Sequence, residues 1–389
     1  MGHHYSLMSL AKTWLLYSSL AALLVQGYKT CNSVLIAGAT GYVGRAVTQE
    51  LVSRGIPTIA LVRNANTISG ITSRYLRGAE IVECNVMDQN QVIQCYNSHK
   101  PAATICCLAS RNGLGKDSFA VDYGASMNLL TAVDREHHFA LLSAFCVGKP
   151  KLQFQFAKLK LEAAIQQAQA AGELGSYAIT RPTAYFKSLD GQIESAKSGG
   201  PVLYFGDGKC SANPICETDL AKFIVDSAIA PAECGMLNAI RNVGGPDVPP
   251  ITKLEQIELI YDTLNTPAAA RRAISIPLGV LDFLIDLVSS LKGLISILSV
   301  NSFAEKFEDI TEIIRIIKYY ASEPMVAVDK ERGEVQGSTQ LADHFARLAK
   351  KGGALDERDQ FTTTTGVLDL VIRNNYETYR AESLDKQEV

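Results

Sequence analysis

The segment Ser33–Gly44, SVLIAGATGYVG, decides the fold that this sequence predicts. Val34–Ala37 is an apolar run of strand length that contains β-branched residues. It leads directly into the glycine-rich turn Gly38–Gly44, and the residues that follow, Arg45–Val52, have the apolar spacing of a helix. A strand, a G-x-x-G-x-x-G turn and a helix in this order are typical of a dinucleotide-binding site.

Glycine suits this turn because it permits a tight bend and lets the backbone approach a pyrophosphate closely. The N-terminus of the helix then offers free N–H groups and a positive dipole end to that anion. The alternative is an ordinary turn between a strand and a helix that contains glycines. We expect the phosphate-binding residues to be Gly38, Thr40, Gly41, Tyr42, Val43 and Gly44.

The composition of the 389-residue chain suits one large or two modest globular domains, since 47% of its residues are hydrophobic and 20% are charged. A net charge of −3 without a dense basic stripe argues against a nucleic-acid partner. The nine cysteines are scattered and form no C-x-x-C pair. We therefore expect neither a disulfide framework nor a metal site, and a reducing compartment.

The N-terminal segment contains an apolar run, Trp14–Val25, that is too short for a bilayer span of about 20 residues. Lys12 precedes it, and Val25–Gly27 offers small residues at a cleavage-like position. This pattern resembles a secretory presequence that is cleaved near Gly27. The alternative is an amphipathic helix that the mature protein keeps.

The second predicted strand, Ile56–Val62, ends at Arg63. An acid at this position would bind the adenosine 2′-hydroxyl of NAD, whereas a base accommodates the 2′-phosphate of NADP. Arg63 therefore favours NADP(H), although a solvated arginine at a strand end is the alternative. Asp88 closes the third predicted strand, Ala79–Asp88, where it can meet the adenine or cap the helix Gln89–Tyr96.

Strands and helices continue to alternate along the chain. Further strands are predicted at Ala103–Ala109, Phe139–Ser143 and Ser176–Thr180, and helices at Asp122–Glu136 and Lys151–Ala171. Such alternation requires a parallel sheet with helices on both faces. We predict an α/β fold, a doubly wound parallel Rossmann sheet with a smaller, mostly helical C-terminal substrate region.

The regular alternation of strands and helices ends after Pro182. A helix is predicted at Glu217–Ile229, a last strand at Leu237–Val243, and mostly helix from Thr252 to Tyr320. The apolar stretch Ile276–Val300 carries charged residues, so we expect a lid or membrane-surface helix rather than a span, with plain core packing as the alternative. The expected parts are a targeting or anchor segment (1–32), an NADP-binding domain (33–247), a helical substrate or lid region (248–350) and a polar tail (351–389).

Three candidate catalytic or binding groups lie close together in the predicted order of elements. Ser143 ends the fifth strand, Lys158 lies on the next helix, and Arg181-Pro182 ends the sixth strand. In short-chain dehydrogenases a Tyr-x-x-x-Lys pair on this helix supplies an acid and a clamp for the nicotinamide ribose. Here Phe154 stands at the tyrosine position, so only the lysine is available. A solvated Lys158 paired with Glu162 at i,i+4 is the alternative.

The chain resembles the divinyl chlorophyllide 8-vinyl-reductase family, a group of atypical short-chain dehydrogenases. The most specific matching blocks are Leu108–Gly113 (LASRNG) and Arg181–Leu189 (RPTAYFKSL). Other blocks are Asp122-Tyr123, Leu141–Ala144, Ala157–Lys160 with Glu162, Phe205–Lys209 and Tyr319–Met325. The resemblance extends from about Val34 to Val335 and leaves out both termini.

The resemblance implies that NADPH reduces the C8 vinyl group of a divinyl chlorophyllide or protochlorophyllide to ethyl. Hydride addition to a conjugated vinyl group spreads charge into the macrocycle, so an acid at position 154 is less necessary than in carbonyl reduction. Candidate proton donors are Tyr185, Cys146, Lys187 or water, and Ser143 and Lys158 complete the expected catalytic group. Tyr185 as a core aromatic and Cys146 as a small buried hydrophobe are the alternatives.

The remaining site residues are expected from their places at strand ends. At the cofactor we expect Arg63, Asp88, Leu108, Ala109, Ser110, Lys158, Pro182 and Thr183, and at the substrate Arg111, Asn112, Phe186 and Lys187. A chlorophyll pathway implies a plastid, reached through a secretory-type presequence, with the protein in the stroma or peripherally on a membrane. Two other classes stay open: another alkene reductase of this group, and a non-catalytic NADP(H)-binding regulatory or assembly protein. The oligomeric state is left open.

Overall fold

The computed structural model describes residues 33–111, 113–297, 301–328 and 333–350. The expected presequence, residues 1–32, and the expected tail, residues 351–389, lie outside the described residues, as does Asn112. The strands in this part of the chain are β1 (Val34–Ala37), β2 (Thr58–Val62), β3 (Glu80–Glu83), β4 (Ala103–Cys106), β5 (His138–Leu142), β6 (Ser176–Pro182), β7 (Val202–Phe205), β8 (Ser211–Ala212), β9 (Ala239–Gly244), β10 (Ile251–Thr252), β11 (Ala273–Ile276) and β12 (Glu334–Val335).

Helices flank most of these strands. The α-helices of the described residues are α1 (Tyr42–Ser53), α2 (Gly70–Tyr75), α3 (Gln89–His99), α4 (Gly115–Asp117), α5 (Ser126–Ala132), α6 (Gln153–Ala170), α7 (Asp190–Lys197), α8 (Glu217–Ile229), α9 (Lys253–Thr263), α10 (Leu278–Ile297), α11 (Asn301–Ser322) and α12 (Leu341–Lys350). A π-helical turn, Ser118–Ala125, joins α4 to α5. The helix predicted at Asp122–Glu136 therefore starts earlier and ends earlier than expected.

Eight strands form one parallel sheet in the order β12-β9-β6-β5-β4-β1-β2-β3. Strand β1 pairs with β2 on one side and with β4 on the other, so the strand order reverses beside β1. In open α/β sheets a ligand binds at such a switch point, outside the carboxyl ends of the strands. The predicted doubly wound parallel Rossmann sheet is confirmed.

Both faces of the sheet are covered, and β1 shows how its sequence achieves this. Val34 and Ile36 belong to the core that packs under α1 and α8, whereas Leu35 and Ala37 belong to the core under α3, α5 and α6. Successive side chains of a strand point to opposite faces, so a continuous apolar run serves a strand that is buried on both. The edge strand β3 is mostly exposed, in keeping with its polar sequence EIVE.

The C-terminal part is less uniformly helical than predicted. Strand β11 lies inside the region expected to be helical and pairs in parallel with β7. Strand β12 adds to the sheet beside β9, so the predicted last strand, observed as β9, is not the last. Strand β12 thus brings part of the C-terminal region into the central sheet. The expected domain boundary at residue 247 stays a prediction.

A third apolar core lies beyond the sheet, among α7, α9 and α12. Its fully buried members include Phe186, Ile193, Ile260, Leu341 and Phe345. Helices α10 and α11 pack along each other and are joined by the ion pair Asp282–Lys318. None of the described helices is long and apolar enough to cross a bilayer.

Candidate active site

The glycine-rich turn carries β1 into α1 at the carboxyl edge of the sheet. Gly38 has a φ of +82°, and a Cβ built on it would lie 2.6 Å from the carbonyl oxygen of Cys107. A Cβ on Gly44 would lie 2.1 Å from the carbonyl oxygen of Gly38. Gly41 is the N-cap of α1 and has no side chain to cap it, so the first N–H groups of the helix can bind a phosphate. The turn therefore fits a dinucleotide pyrophosphate.

The ends of β2 and β3 lie on one side of this turn, where the adenosine half of a dinucleotide is expected. Arg63 directly follows β2 and is exposed. An acid, Glu83, ends β3, and its Oε1 accepts a hydrogen bond from Ala65 N at 2.6 Å. Asp88 accepts hydrogen bonds from two backbone N–H groups of α3 and so caps that helix. Its contact with an adenine stays a prediction.

Lys158 of α6 is buried against Asp122 of the π-helical turn. Lys158 Nζ lies 3.0 Å from Asp122 Oδ1, and the two residues are 7% and 2% exposed. Burial by itself would lower the pKa of Lys158, but the Asp122 carboxylate outweighs this effect and the pKa is raised. Asp122 Oδ2 also accepts a hydrogen bond from Ser110 N at 2.9 Å. One carboxylate thus joins the lysine to the loop after β4.

Glu162 does not pair with Lys158, so the alternative of a solvated Lys158–Glu162 pair is wrong. The Glu162 carboxylate is 1% exposed. It accepts a hydrogen bond from Ser143 Oγ at 2.5 Å and another from Arg181 Nε at 3.0 Å. Ser143 follows β5 and Arg181 lies in β6, so Glu162 ties two strand ends to α6. The Ser143 proton points to Glu162, which leaves the lone pairs of Ser143 as acceptors.

Phe154 stands four residues before Lys158 and supplies no hydroxyl. It packs with Ile316 of α11 in a small apolar cluster around Cys146 and Tyr319. A Cβ on Gly113, in the loop after β4, would lie 3.4 Å from the Phe154 ring and 3.2 Å from the Ile316 side chain. Helix α11 therefore closes one side of the candidate site.

Two tyrosines of α11 reach Cys146, which follows β5. The Tyr319 hydroxyl donates to the carbonyl oxygens of Cys146 and Lys149, at 2.9 and 3.0 Å. The Tyr320 hydroxyl lies 3.9 Å from Cys146 Sγ. Cys146 is 4% exposed, and burial raises the pKa of its thiol. Tyr320 is 40% exposed, so part of its side chain is accessible from outside the protein.

Tyr185 and Lys187 follow β6 and contact the glycine-rich turn through Tyr42. The rings of Tyr185 and Tyr42 pack edge to face with 5.9 Å between centroids, and Lys187 Nζ lies 5.0 Å from the Tyr42 centroid. The Tyr42 hydroxyl donates to Glu217 Oε2 at 2.6 Å. Burial raises the pKa of Tyr185, which stays protonated at neutral pH.

The other expected site residues divide into accessible and buried ones. Leu108 and Ser110 are partly buried, and Ala109 and Arg111 are exposed, all in the loop after β4. Pro182 ends β6, and the Thr183 hydroxyl donates to Asn213 O at 2.7 Å. Phe186 is 0% exposed within the third core, which gives its ring a packing role.

Sequence reasoning assigned no role in the site to Asp122 and Tyr320, and it named Glu162 only as the alternative partner of Lys158. Asp122 and Glu162 are charged residues within apolar stretches, a pattern that indicates a buried partner. Tyr320 belongs to a stripe of α11 that faces the site, at positions 312, 316, 319, 320 and 323. This helical spacing in the sequence could have indicated that these residues share one face of a helix. In this stripe Glu312 Oε1 accepts a hydrogen bond from Gln153 N at 2.8 Å.

Comparison with known proteins agrees with this geometry. A family model described as NAD(P)H-binding matches residues 38–231. The crystal structure of dTDP-glucose 4,6-dehydratase from Bacillus anthracis in complex with NAD superposes with a TM-score of 0.54, over 63% of this chain and 85% of that chain. At 14% sequence identity this similarity shows the fold alone. Fold and turn together define the class, a Rossmann-fold protein that binds a nicotinamide dinucleotide.

Relatives with higher identity narrow the class. The chloroplastic divinyl chlorophyllide a 8-vinyl-reductase of Cucumis sativus is 37% identical over 343 residues, which cover 84% of this chain and 78% of that protein. The corresponding protein of Oryza sativa subsp. indica is 38% identical over 347 residues, covering 85% of this chain and 82% of that protein. The chain belongs to the divinyl chlorophyllide a 8-vinyl-reductase family.

Proposed function

We propose that this protein reduces the C8 vinyl group of divinyl chlorophyllide or protochlorophyllide to ethyl in chlorophyll biosynthesis. One observation of the structure supports the proposal most strongly. It is the buried Lys158–Asp122 pair at the carboxyl edge of the sheet. Four residues before Lys158, the position of the usual tyrosine is occupied by Phe154. Such a site keeps the ribose clamp of a reductase and lacks the acid that carbonyl reduction requires.

NADPH supplies the hydride for this reaction. The glycine-rich turn holds its pyrophosphate, because Gly41 and Gly44 leave the backbone accessible at the start of α1. Lys158 donates hydrogen bonds to the nicotinamide ribose, and Asp122 keeps the amine charged and oriented. The Ser143 oxygen donates its proton to Glu162, so toward the bound molecules at the carboxyl edge of the sheet it can act only as a hydrogen-bond acceptor. These residues position the reacting atoms, and none of them transfers the hydride itself.

The choice of NADPH over NADH rests on Arg63. It is exposed at the end of β2, where a guanidinium can form a bidentate pair with a 2′-phosphate. Glu83 at the end of β3 is engaged by Ala65 N, which draws its carboxylate toward the backbone of the adjacent loop. Both features favour the phosphorylated cofactor.

We assign the protein to the plastid, in line with the chloroplastic relatives. The pigment is flat and apolar, and it lies between the strand ends and α11 in this proposal. Helix α10 exposes Val280, Phe283, Leu287 and Leu291, which lie three or four residues apart on one side. This side suits peripheral contact with a plastid membrane, from which an apolar pigment is supplied.

The test is turnover by the purified protein with NADPH and divinyl chlorophyllide. We expect a small blue shift of the Soret band, and deuterium from labelled NADPH in the new ethyl group. Lys158→Ala should lower kcat/KM by more than about 10²-fold, since small misplacements already cost that much. Lys160→Ala is the matched control, because Lys160 lies on the same helix as Lys158 and is exposed.

The outcomes separate the three classes of function. Absence of a shift and of label with the unaltered protein contradicts the proposed reaction. Turnover of a different conjugated alkene would then indicate another reductase of this group. NADPH binding without turnover of any alkene would indicate a regulatory or assembly protein. Full activity in Lys158→Ala contradicts only the assigned role of the lysine.

A further inference from the structure

The reaction needs a proton as well as a hydride, and Phe154 cannot supply one. The structure brings another phenol to the same side of the site. Tyr320 projects from α11 toward Cys146, with 3.9 Å between its hydroxyl oxygen and Cys146 Sγ. Cys146 shares an apolar cluster with Phe154, which stands one helical turn before Lys158 on α6, so this hydroxyl lies on the side of the site that carries the ribose clamp.

Helix α11 is fixed to the sheet domain on both sides of Tyr320. Upstream, Glu312 accepts the hydrogen bond from Gln153 N, at the start of the helix that carries Lys158. Downstream, the Glu323 carboxylate pairs with Lys149 and Lys151, at 3.3 and 2.5 Å. Between them, the Tyr319 hydroxyl binds two backbone carbonyls. The position of Tyr320 relative to the clamp is therefore set by contacts on α6 and the loop after β5.

Tyr320 meets the requirements of a donor better than the other acids nearby. Cys146 is 4% exposed, so a substrate carbon has little access to its thiol. Tyr185 is less exposed than Tyr320, and its ring packs edge to face against Tyr42 of the glycine-rich turn. Tyr320 combines a phenol at the site with 40% exposure, and its neighbour there is a thiol rather than a carboxylate.

We infer that Tyr320 is the catalytic acid that protonates the reduced pigment, an inference that rests on the proposed function. The π bond of the vinyl group breaks as NADPH delivers a hydride to its terminal carbon, and the electron pair delocalises into the macrocycle. The Tyr320 O–H bond then breaks and its proton bonds to the vinyl carbon attached to the ring. The products are the ethyl pigment, NADP⁺ and a tyrosinate, which takes a proton from water.

The state of Tyr320 before the reaction suits this role. Burial raises its pKa well above the usual value, and the adjacent Cys146 thiol adds to this rise. The hydroxyl therefore holds its proton throughout the neutral range and releases it only to a stronger base, such as a carbanion. A high pKa also favours rapid reprotonation of the tyrosinate by solvent.

The experiment compares Tyr320→Phe with Tyr319→Phe, the same change one residue away. Tyr320→Phe should lower kcat by about 10²-fold, the low end for a general acid, because water can protonate a delocalised anion. Its thermal stability and its affinity for the pigment without NADPH should stay near those of the unaltered protein, since the 3.9 Å contact that the hydroxyl makes with Cys146 Sγ involves only a weak sulfur partner. Tyr319→Phe should lower thermal stability, because its hydroxyl anchors two carbonyls, and should lower kcat less than Tyr320→Phe does, because Glu312 and Glu323 still hold α11.

Reaction in heavy water separates a proton donor from a structural residue. With Tyr320 present, deuterium should enter the ring-attached carbon of the new ethyl group with one configuration. In Tyr320→Phe the solvent isotope effect on kcat should increase and the configuration should become mixed. Unchanged kcat and stereochemistry in Tyr320→Phe would overturn the inference and leave the proposed function in place. Absence of turnover by the unaltered protein would overturn both.

Discussion

Asp122 gives the sharpest test of how the site is built, because one carboxylate binds two separate elements. It pairs with Lys158 Nζ at 3.0 Å and accepts a hydrogen bond from Ser110 N at 2.9 Å. Replacement by asparagine keeps the size of the side chain and removes its charge. The Lys158 ammonium group would then be buried without a counter-charge, while an amide oxygen could still accept from Ser110 N.

The expected loss of stability follows from the burial of both partners, which are 7% and 2% exposed. Removal of one partner of a buried ion pair costs about 3–5 kcal/mol. Lys158 can limit this cost by losing its proton, because burial lowers its pKa once the carboxylate is gone. We therefore expect Asp122→Asn to lower the free energy of unfolding by about 3 kcal/mol near neutral pH.

The pH dependence has a definite sign. In the unaltered protein the pKa of Lys158 is raised, so the pair stabilises the fold fully below the pKa of an unfolded lysine. This contribution is lost as pH rises through the raised folded-state pKa. In Asp122→Asn the folded-state pKa lies below the unfolded one, so stability increases with pH. The difference between the two proteins should shrink as pH approaches about 10.

Urea unfolding at neutral and alkaline pH, together with NADPH titration, measures these effects. Asp122→Asn should also weaken NADPH binding, because the lysine and the loop after β4 lose their common anchor. Glu323→Gln is the control, since its carboxylate pairs with two exposed lysines and should contribute less than about 1 kcal/mol. A stability within about 1 kcal/mol of the unaltered protein at neutral pH, with the same pH dependence, would refute the reasoning.

Three further predictions concern the cofactor and the core. Arg63→Asp should weaken NADPH binding and leave NADH binding unchanged or tighter, and equal affinities in the unaltered protein would contradict this. Gly44→Ala should abolish dinucleotide binding, because its Cβ would lie 2.1 Å from Gly38 O, and calorimetry can measure the loss. Burial lowers the pKa of His137 to about 4, so the unfolded chain takes up a proton first as pH falls below about 6.5. His137 alone should lower stability by about 3 kcal/mol between these pH values, and this part of the loss should be absent in His137→Gln, whereas His138, whose pKa burial also lowers, keeps its own part.

The centre of the sheet was predictable from the sequence because its strands are buried on both faces. β1 is a continuous apolar run, and β2 is apolar after Thr58. β11 was missed because its residues are mostly exposed, so the strand has no core-facing signal and depends on pairing with β7. The π-helical turn Ser118–Ala125 was missed for a related reason, since helical spacing does not distinguish one type of helix from another.

The site was predictable only as far as the strand ends. Lys158, Ser143 and Tyr185 were expected there because parallel strands bring their carboxyl ends to one edge. Their partners were not, because local spacing offered Lys158 a single candidate, Glu162 four residues on, and only as the alternative to a role in the site. The two side chains instead bind different partners, Asp122 and Arg181, from distant parts of the chain. Periodicity along a helix identifies neighbours on its surface and carries no information about a buried contact across elements.

The π-helical turn explains how Asp122 can serve two partners at once. A π-helix contains more residues per turn than an α-helix, so a single inserted residue rotates the side chains that follow by about 100° relative to an uninterrupted helix. Asp122 lies within this turn, and its two oxygens point to α6 and to the loop after β4. An α-helical path through the same segment would turn either Asp122 or the apolar face of α5 away from its partners. Since α5 contributes Leu129 and Leu130 to the core, the turn reconciles packing with the charged pair. The irregular helix thus presents Asp122 to both of its partners while α5 keeps its apolar residues in the core.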